Sequence, residues 1–461
     1  MNRFVAPVVF FFVFLVPEQV FPADPVAAVD SSGYRLTLED AVQLGLEKSR
    51  SLAIARLDRQ MASEKIRETW SEVLPQITSG FTYTRSLKPS VLFFPNVFGG
   101  DPTQFIPLEI SADNSASATL DLRQKIFDGA AIAGIRAASV VRKMSEEAYR
   151  NTESAVVADI KQSYFDALIS RDRLKLIRQS IERWELAQKD TRAMFRQGVA
   201  ADIDTLQAFL SVENLRPDLI QAENMVGISM TRLKNAMGIS ADSEVILTGK
   251  LDVSPAAYPE DIASAYREAL QSRPDLRQLE LQVDAEDEKV FAARAERFPV
   301  LSAFGQLETQ SAFNDDVSLS DSNWPVSSSV GLQVSVPIFT GFRISSRVEQ
   351  AKISRLQAMI RHADLKASIR TEVEVRLSAF REAQKRIGVQ SKTISVAERS
   401  YRISQLRFRE GIGSRLELND AELQLNRSKT NYLQAVYDYM TASVLLDRAL
   451  GRSPYSVAAA K

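Results

Sequence analysis

Phe195-Arg196-Gln197-Gly198, followed ten residues after its glycine by Ala208 and closed at Met237-Gly238, returns as Phe408-Arg409-Glu410-Gly411, Ala421 and Leu450-Gly451. The numbering offset from Phe195 to Phe408 is 213, and it stays constant to the closing glycines. One supersecondary unit is therefore present twice. Upstream, Leu46, Leu52 and Pro75 pair with Leu270, Leu276 and Pro299 at an offset of 224, and Phe127-Asp128-Gly129 pairs with Phe339-Thr340-Gly341 at 212. The first copy is thus a dozen positions longer between Pro75 and Phe127, a length difference of the kind that loops absorb.

From Gly129 to Gly198, and again from Gly341 to Gly411, there is no proline and the pattern is continuously helical. At about 1.5 Å per residue each stretch makes a helix of roughly 100 Å, too long for a globular core and suited to a coiled coil or a tube of helices. The return segments carry apolar residues at 3/4 spacing: Leu418, Ala421, Leu425, Tyr432, Ala435, Tyr439, Ala442, Leu446 and Ala449 in the second copy, and Ala208, Val212, Leu215, Leu219, Ala222, Val226, Leu233 and Ala236 in the first. The many alanines let helices approach closely, as a large tube requires. These returns are about half the length of the outgoing helices, so a further helix, Ser51 to Val73 or Asp275 to Arg297, has to stack end-on to complete each antiparallel hairpin. Pro217 interrupts the first return where the second has Thr430, and a kink is expected there.

Four segments alternate with period 2 instead. They run from Ile77, from Ser115, from Leu301, and through Val330, Leu332, Val334, Val336 and Ile338. Each has the ~9–11 residues of a tilted membrane strand, and Phe93, Phe94, Phe98 and Trp324 lie in or beside the loops between them, where interfacial aromatics are expected. Periodicity alone equally fits a soluble antiparallel sheet with one wet face.

Composition narrows the function. Lys plus Arg number 57 against 58 for Asp plus Glu, which leaves no electrostatic footprint for nucleic acid. There is no cysteine and a single histidine, His362. Thiol nucleophiles, disulfides and histidine-rich metal sites are excluded, and His362, among Arg361, Asp364 and Lys366 on a long helix, reads as a solvated helix-face residue. No enzyme, cofactor or metal site is expected. Arg3, the apolar run Phe4 to Val16, the break at Glu18-Gln19 and the small residues near Ala27-Ala28 have the order of a secretory signal over residues 1–28, with no cysteine to take a lipid. Beyond it no run of ~20 apolar residues remains. The expected layout is repeat 1 over 29–238, with a strand hairpin within 76–127 and a helical hairpin over 128–238. A connector follows over 239–258, then repeat 2 over 259–451, with strands within 299–339 and helices over 340–451, and a short tail over 452–461.

Helix, strand hairpin, long helix, glycine tip and return helix, in that order and twice over, resemble the TolC-type outer-membrane efflux proteins. The residues that carry the resemblance are Leu74-Pro75-Gln76 and Phe298-Pro299-Val300 leading into strands, Ile126-Phe127-Asp128-Gly129 and Val336-Pro337-Ile338-Phe339-Thr340-Gly341 leaving them, Arg273-Pro274-Asp275-Leu276, and the two tip phrases. The resemblance implies a mainly helical chain with membrane strands. In it a homotrimer pools four strands per protomer into a 12-stranded barrel in the outer membrane, continued by a periplasmic tube of long coiled-coil helical hairpins. It also implies the exit duct of a tripartite efflux or type I secretion system, with a periplasmic adaptor and, through it, an inner-membrane pump as partners. By alignment on Gly411, Glu417 and Asp420 match pore-lining carboxylates; read without the resemblance, they are first-turn acids of a helix. Asp204 matches a carboxylate that latches the first tip, but its partner position holds Phe408 and that of a second latch Gly413, neither able to donate a hydrogen bond. Phe195, Phe408 and Gly413 are then packing residues of the gate, and Gly198, Val199, Ala200, Gly411, Ile412, Gly413 and Ser414 the tips on which the adaptor docks. A periplasmic or surface coiled-coil scaffold with a soluble sheet is the competing reading.

Overall fold

A computed structural model of the chain describes residues 34–88, 90–95, 103, 105–253 and 257–452. The expected leader over 1–28, Phe98 and all but the first residue of the expected tail lie outside them. The first copy comprises β1 (Tyr34–Leu36), α1 (Leu38–Lys48), α2 (Arg50–Ser71), β2 (Gln76–Arg85), β3 (Val91–Pro95), β4 (Phe105–Glu109), β5 (Asn114–Phe127), α3 (Gly129–Arg196), α4 (Asp202–Glu213) and α5 (Arg216–Met237). After β6 (Val245–Leu247), the second comprises α6 (Ile262–Ser272), α7 (Pro274–Ala295), β7 (Val300–Phe313), β8 (Val326–Ser335), α8 (Arg343–Arg409) and α9 (Arg415–Leu450).

The long helices are unbroken, 68 residues in α3 and 67 in α8. Asp128 starts α3 by accepting the N–H groups of Ala130 and Ala131 at 2.9 and 3.3 Å, which satisfies two of the donors every helix leaves free at its start. The first return is broken at Asn214–Leu215, with Pro217 in the opening turn of α5; proline has no N–H to continue the ladder of α4. The second return is one 36-residue helix.

The four expected strands form one antiparallel sheet in the order β2-β5-β7-β8. Its register sorts most side chains by polarity, with Phe304 on the polar face and Ser79, Thr309 and Ser328 on the apolar one among the exceptions. One face carries Ile77, Phe81, Tyr83, Ala118, Leu120, Leu122, Leu307, Val330, Leu332 and Val334, and the other Thr78, Thr82, Thr119, Asp121, Arg123, Gln306, Glu308, Ser329 and Gln333. Three expectations about strands need correction. β8 stops at Ser335, because Pro337 cannot donate to a ladder, so Val336 and Ile338 lie beyond the strand. Phe93 and Phe94 are not in a loop but in a separate two-stranded ribbon, β3–β4. The connector contains β6, which pairs in parallel with β1 through Tyr34↔Val245 and Leu36↔Leu247. One helix-face expectation changes as well: His362 is only 20% exposed, with Nε2 3.6 Å from Glu280 of α7, so it lies between helices rather than in solvent.

The core is duplicated like the sequence. Val156, Ile160, Tyr164, Leu233 and Met237 are buried together in one cluster, and Ile369, Val373, Leu377, Leu446 and Leu450, their counterparts at the offset of the tip phrases, are buried in another. The copies even exchange a methyl group. A Cβ on Gly45 would lie 2.1 Å from Ile160 Cδ1, whereas the second copy has Ala269 with the smaller Val373, which conserves volume in a close-packed interior.

Each return helix ends on a seat made by the two short helices of its copy. Gly238, at φ 77°, comes so close to Lys48 and Ser49 that a Cβ would lie 2.3 Å from the Lys48 carbonyl oxygen, and Gly451, at φ 72°, abuts Ser272 and Arg273 in the same way. There α2 and α7 take over the line of the return. Arg273 fixes the second seat. It donates to both Asp275 oxygens at 3.0 and 2.7 Å, to Glu372 of α8 at 2.6 Å and to the Ala449 carbonyl at 3.1 Å. Arg452, first residue of the expected tail, is tied down by Glu268 at 2.7 Å.

Burial pushes the Asp275 carboxyl up, but the hydrogen bonds and charge of Arg273 and the Leu276 N–H outweigh it and hold it below the usual carboxylate range. A lowered folded pKa gives stability that is complete above the ordinary value of about 3.9 and lost as pH falls through the folded value. The melting-temperature advantage of the native chain over Asp275→Asn should therefore be constant from pH 7 to about 5 and shrink below about 4; an advantage that grows in acid would contradict the pairing.

Candidate functional site at the helical tips

The two helical tips are built alike. At the end of α3, Gly198 takes φ 78° and the N–H groups of Gly198 and Val199 return to the carbonyls of Phe195 and Met194 at 2.9 and 3.0 Å. At the end of α8, Gly411 takes φ 72° and the N–H groups of Gly411 and Ile412 return to Phe408 and Arg407 at 3.1 and 3.0 Å. Glycine is needed in both places because a side chain is strained in the left-handed region. These turns leave Val199 69% and Ile412 71% exposed. Phe195 is also exposed, as are Ile203, Leu206 and Leu416 nearby.

The expected site residues divide between the surface and the interior. Glu417 and Asp420 are one turn apart on α9 and both are exposed; the Glu417 N–H is capped by Ser414 Oγ at 3.2 Å, and its carboxylate lies 3.9 Å from Arg407. Asp204 sits in the first turn of α4 and accepts the Ala201 N–H at 3.0 Å. Phe408, by contrast, is buried. A Cβ on Gly413 would lie 3.0 Å from the Phe408 nitrogen, so that glycine keeps the second tip folded tightly against its own helix.

The surroundings of Phe408 are what the motifs did not disclose. Arg415, 6% exposed, enters between α9 and α3, its guanidinium 5.4 Å from the Trp184 ring and 5.9 Å from that of Phe408. Nη1 donates to Thr191 Oγ1 at 3.1 Å and more weakly to the Ala187 carbonyl at 3.4 Å, while Nε and Nη2 are buried without an acceptor among the described residues. Burial depresses the Arg415 pKa, opposed by the Asp204 carboxylate. Two turns along α9, Glu422, 2% exposed, accepts Arg183 Nε at 2.8 Å, and Arg183 also donates to Asn426 at 2.8 Å. Asn426 in turn donates to Ser180 at 2.6 Å. Charge and hydrogen bonding thus clamp α3 of the first copy to α9 of the second just behind the tips. The signal was present in the sequence: Arg415 and Glu422 fall on the 3/4 seam that Leu418 and Leu425 define, charges where the pattern demands apolar residues.

Helical tips with first-turn acids and apolar turns, at the far end of helices from an amphipathic sheet, set the frame for comparison with known proteins. The chain is 24% identical over 427 residues, 91% of its length and 83% of the relative's, to the toluene efflux pump outer membrane protein TtgC of Pseudomonas putida. It is 23% identical over 411 residues, 88% of the chain and 84% of the relative, to the probable outer membrane lipoprotein SilC of Salmonella typhimurium. Among solved structures, the CmeC outer membrane channel of Campylobacter jejuni superposes with a TM-score of 0.73 at 19% identity, covering 90% of this chain and 85% of that one. The profile of the outer membrane efflux proteins matches residues 41–239 and 265–452. These two segments are the two copies of the repeat, and the chain belongs to the outer membrane efflux protein family.

Proposed function

We propose that this chain is the outer-membrane exit duct of a tripartite efflux or type I secretion system, working as a homotrimer. The observation that carries this reading is the sheet: four strands, one apolar face, one polar face, and two unpaired edges, β2 and β8. Among the described residues no helix is long and apolar enough to cross a membrane, so a crossing falls to these strands. Unpaired edges are not tolerated in lipid. β2 and β8 run in opposite directions, so β8 of one copy meets β2 of the next as another antiparallel pair, and three copies close at twelve strands. The apolar face then meets lipid, and Thr119, Asp121, Arg123, Gln306 and Glu308 line a wet lumen.

The helices, roughly 100 Å long, continue that lumen across the periplasm. At its inner end three copies of Glu417 and Asp420 stack as two acidic rings that favour cations, with Asp204 beside them on the first tip. The exposed tip turns, Gly198-Val199-Ala200 and Gly411-Ile412-Gly413-Ser414, receive the hairpins of a periplasmic adaptor, which links the duct to an inner-membrane pump. With no hydroxyl at Phe408, the closed tip is held by the packing of Phe408, with Phe195 and Gly413 shaping the turns around it, and by the Arg183–Glu422 clamp.

Three measurements test this reading. Arginine at Leu120, mid-strand on the apolar face, should cost ~2–4 kcal/mol and abolish trimer assembly in outer membranes, while arginine at Thr119 on the polar face should be tolerated; equal yields would exclude the barrel. Reconstituted pores should be cation-selective and blocked by multivalent cations, and the Glu417→Ala, Asp420→Ala double variant should lose that block. Glu422→Ala leaves Arg183 without its carboxylate and should cost roughly 3 kcal/mol, seen as a lower melting temperature together with raised single-channel conductance. A destabilised variant with unchanged conductance would remove the clamp from the gate.

A further inference from the structure

The β3–β4 ribbon has no counterpart in the second copy, where the turn between β7 and β8 is rich in Asn, Asp and Ser from Asn314 to Asn323. It rises from the end of the β2–β5 hairpin remote from the helices. The Ser86 N–H donates to Asp113 at 2.8 Å and the Ile110 N–H to Ser90 at 3.1 Å. The sheet below ends in a polar tie: Tyr83 donates to Asn114 at 2.7 Å, and Asn114 and Arg85 each donate to Asp315 at 2.9 Å.

Above that tie the side-chain pattern changes in kind. The register Leu92↔Leu108 and Phe94↔Ile106 puts those four residues on one face of the ribbon, while Val91↔Glu109, Phe93↔Pro107 and Pro95↔Phe105 make the other. Glu109 is the only charge among the ten. Both faces are exposed in the single chain: Leu92, Phe94, Ile106 and Leu108 by 42–52%, Val91 by 42%, and Phe93 and Phe105 by 65 and 63%. A ribbon that merely prolonged the barrel wall would keep the polar face that every strand below it has. An isolated two-stranded hairpin with two bare apolar faces is not stable in water.

We propose that in the trimer the three ribbons pack on one another, the Leu92/Phe94/Ile106/Leu108 face of each against the Val91/Phe93/Phe105 face of the next. They form an apolar collar at the outer end of the barrel. The occupant is a second copy of this chain for two reasons. A threefold ring of heterologous contacts buries two different faces of every subunit at once, whereas lying on lipid calls for only one apolar face. The ribbon is also continuous with β2, the edge that the next copy must cover. This inference rests on the trimeric reading above.

The chain has no cysteine, so introduced thiols report cleanly. Phe94→Cys and Phe105→Cys stand on opposite faces of one ribbon and cannot pair within it. In oxidised outer membranes the double variant should give covalent dimer and trimer bands and each single variant none. A bimane on Phe94→Cys, or on Leu92→Cys should the first assemble poorly, should be quenched weakly both by aqueous iodide and by doxyl-labelled phospholipid. Assembled trimers without cross-links, with strong quenching by the phospholipid or by iodide, would put the ribbon in the bilayer or in water and overturn the collar. Absence of any trimer in the native chain would count against the duct itself.

Discussion

The rest of the structure depends on the seat at which each return helix ends. A wall of helices needs every outgoing helix covered along its whole length, yet α5 and α9 reach only part of the way. The contact of Gly238 with Lys48–Ser49, and of Gly451 with Ser272–Arg273, hands the covering role to α2 and α7 without a gap. Both contacts need a residue with no Cβ at a positive φ, since any side chain would collide with the backbone opposite. The two largest buried apolar clusters, around Ile160 and Val373, sit at these seats, so apolar stabilisation is concentrated where the two lines of helices are spliced.

Much of this was legible in the sequence because it repeats or is periodic. Two glycines at a fixed distance marked the tips, the absence of proline marked the long helices, and alternation marked the four strands with the right faces. What escaped was short, singular or tertiary. Three residues at Tyr34 and three at Val245 carry too little pattern to be recognised as strands until folding sets them side by side. The Phe-rich run near Phe93 has no partner copy to compare with, and its two apolar faces imitate an interfacial belt. The end of β8 was readable in Pro337, and alternation through Ile338 outweighed it.

The tip site was legible in one half only. Turn glycines follow local rules, so Gly198 and Gly411 could be named from the sequence, whereas the place of Glu417 and Asp420 at a pore rests on the proposed trimer. Arg415 and Glu422 could be located as charges on an apolar seam, but which residues would surround them depends on the meeting of α3 with α9, helices that stand in different copies of the repeat. A seam charge therefore signals that a partner exists somewhere on the facing helix, without saying which. Here Arg183 supplies the partner for Glu422, while Arg415 relies on Thr191, a backbone carbonyl and two aromatic rings.

The difference between the two returns is also mechanical. The first is jointed at Asn214–Leu215, so a force at its tip can be absorbed by bending at Pro217. The second is a single 36-residue rod, about 54 Å long at ~1.5 Å per residue, clamped at its base by Arg273 and Arg452. A lever of that length converts a tilt of about one degree at the base into roughly 1 Å of travel at the far end. Ties at both ends, Arg273 on the Ala449 carbonyl at the seat and Arg183 on Glu422 near the tip, oppose that tilt in the second return, whereas the first is jointed between its ends.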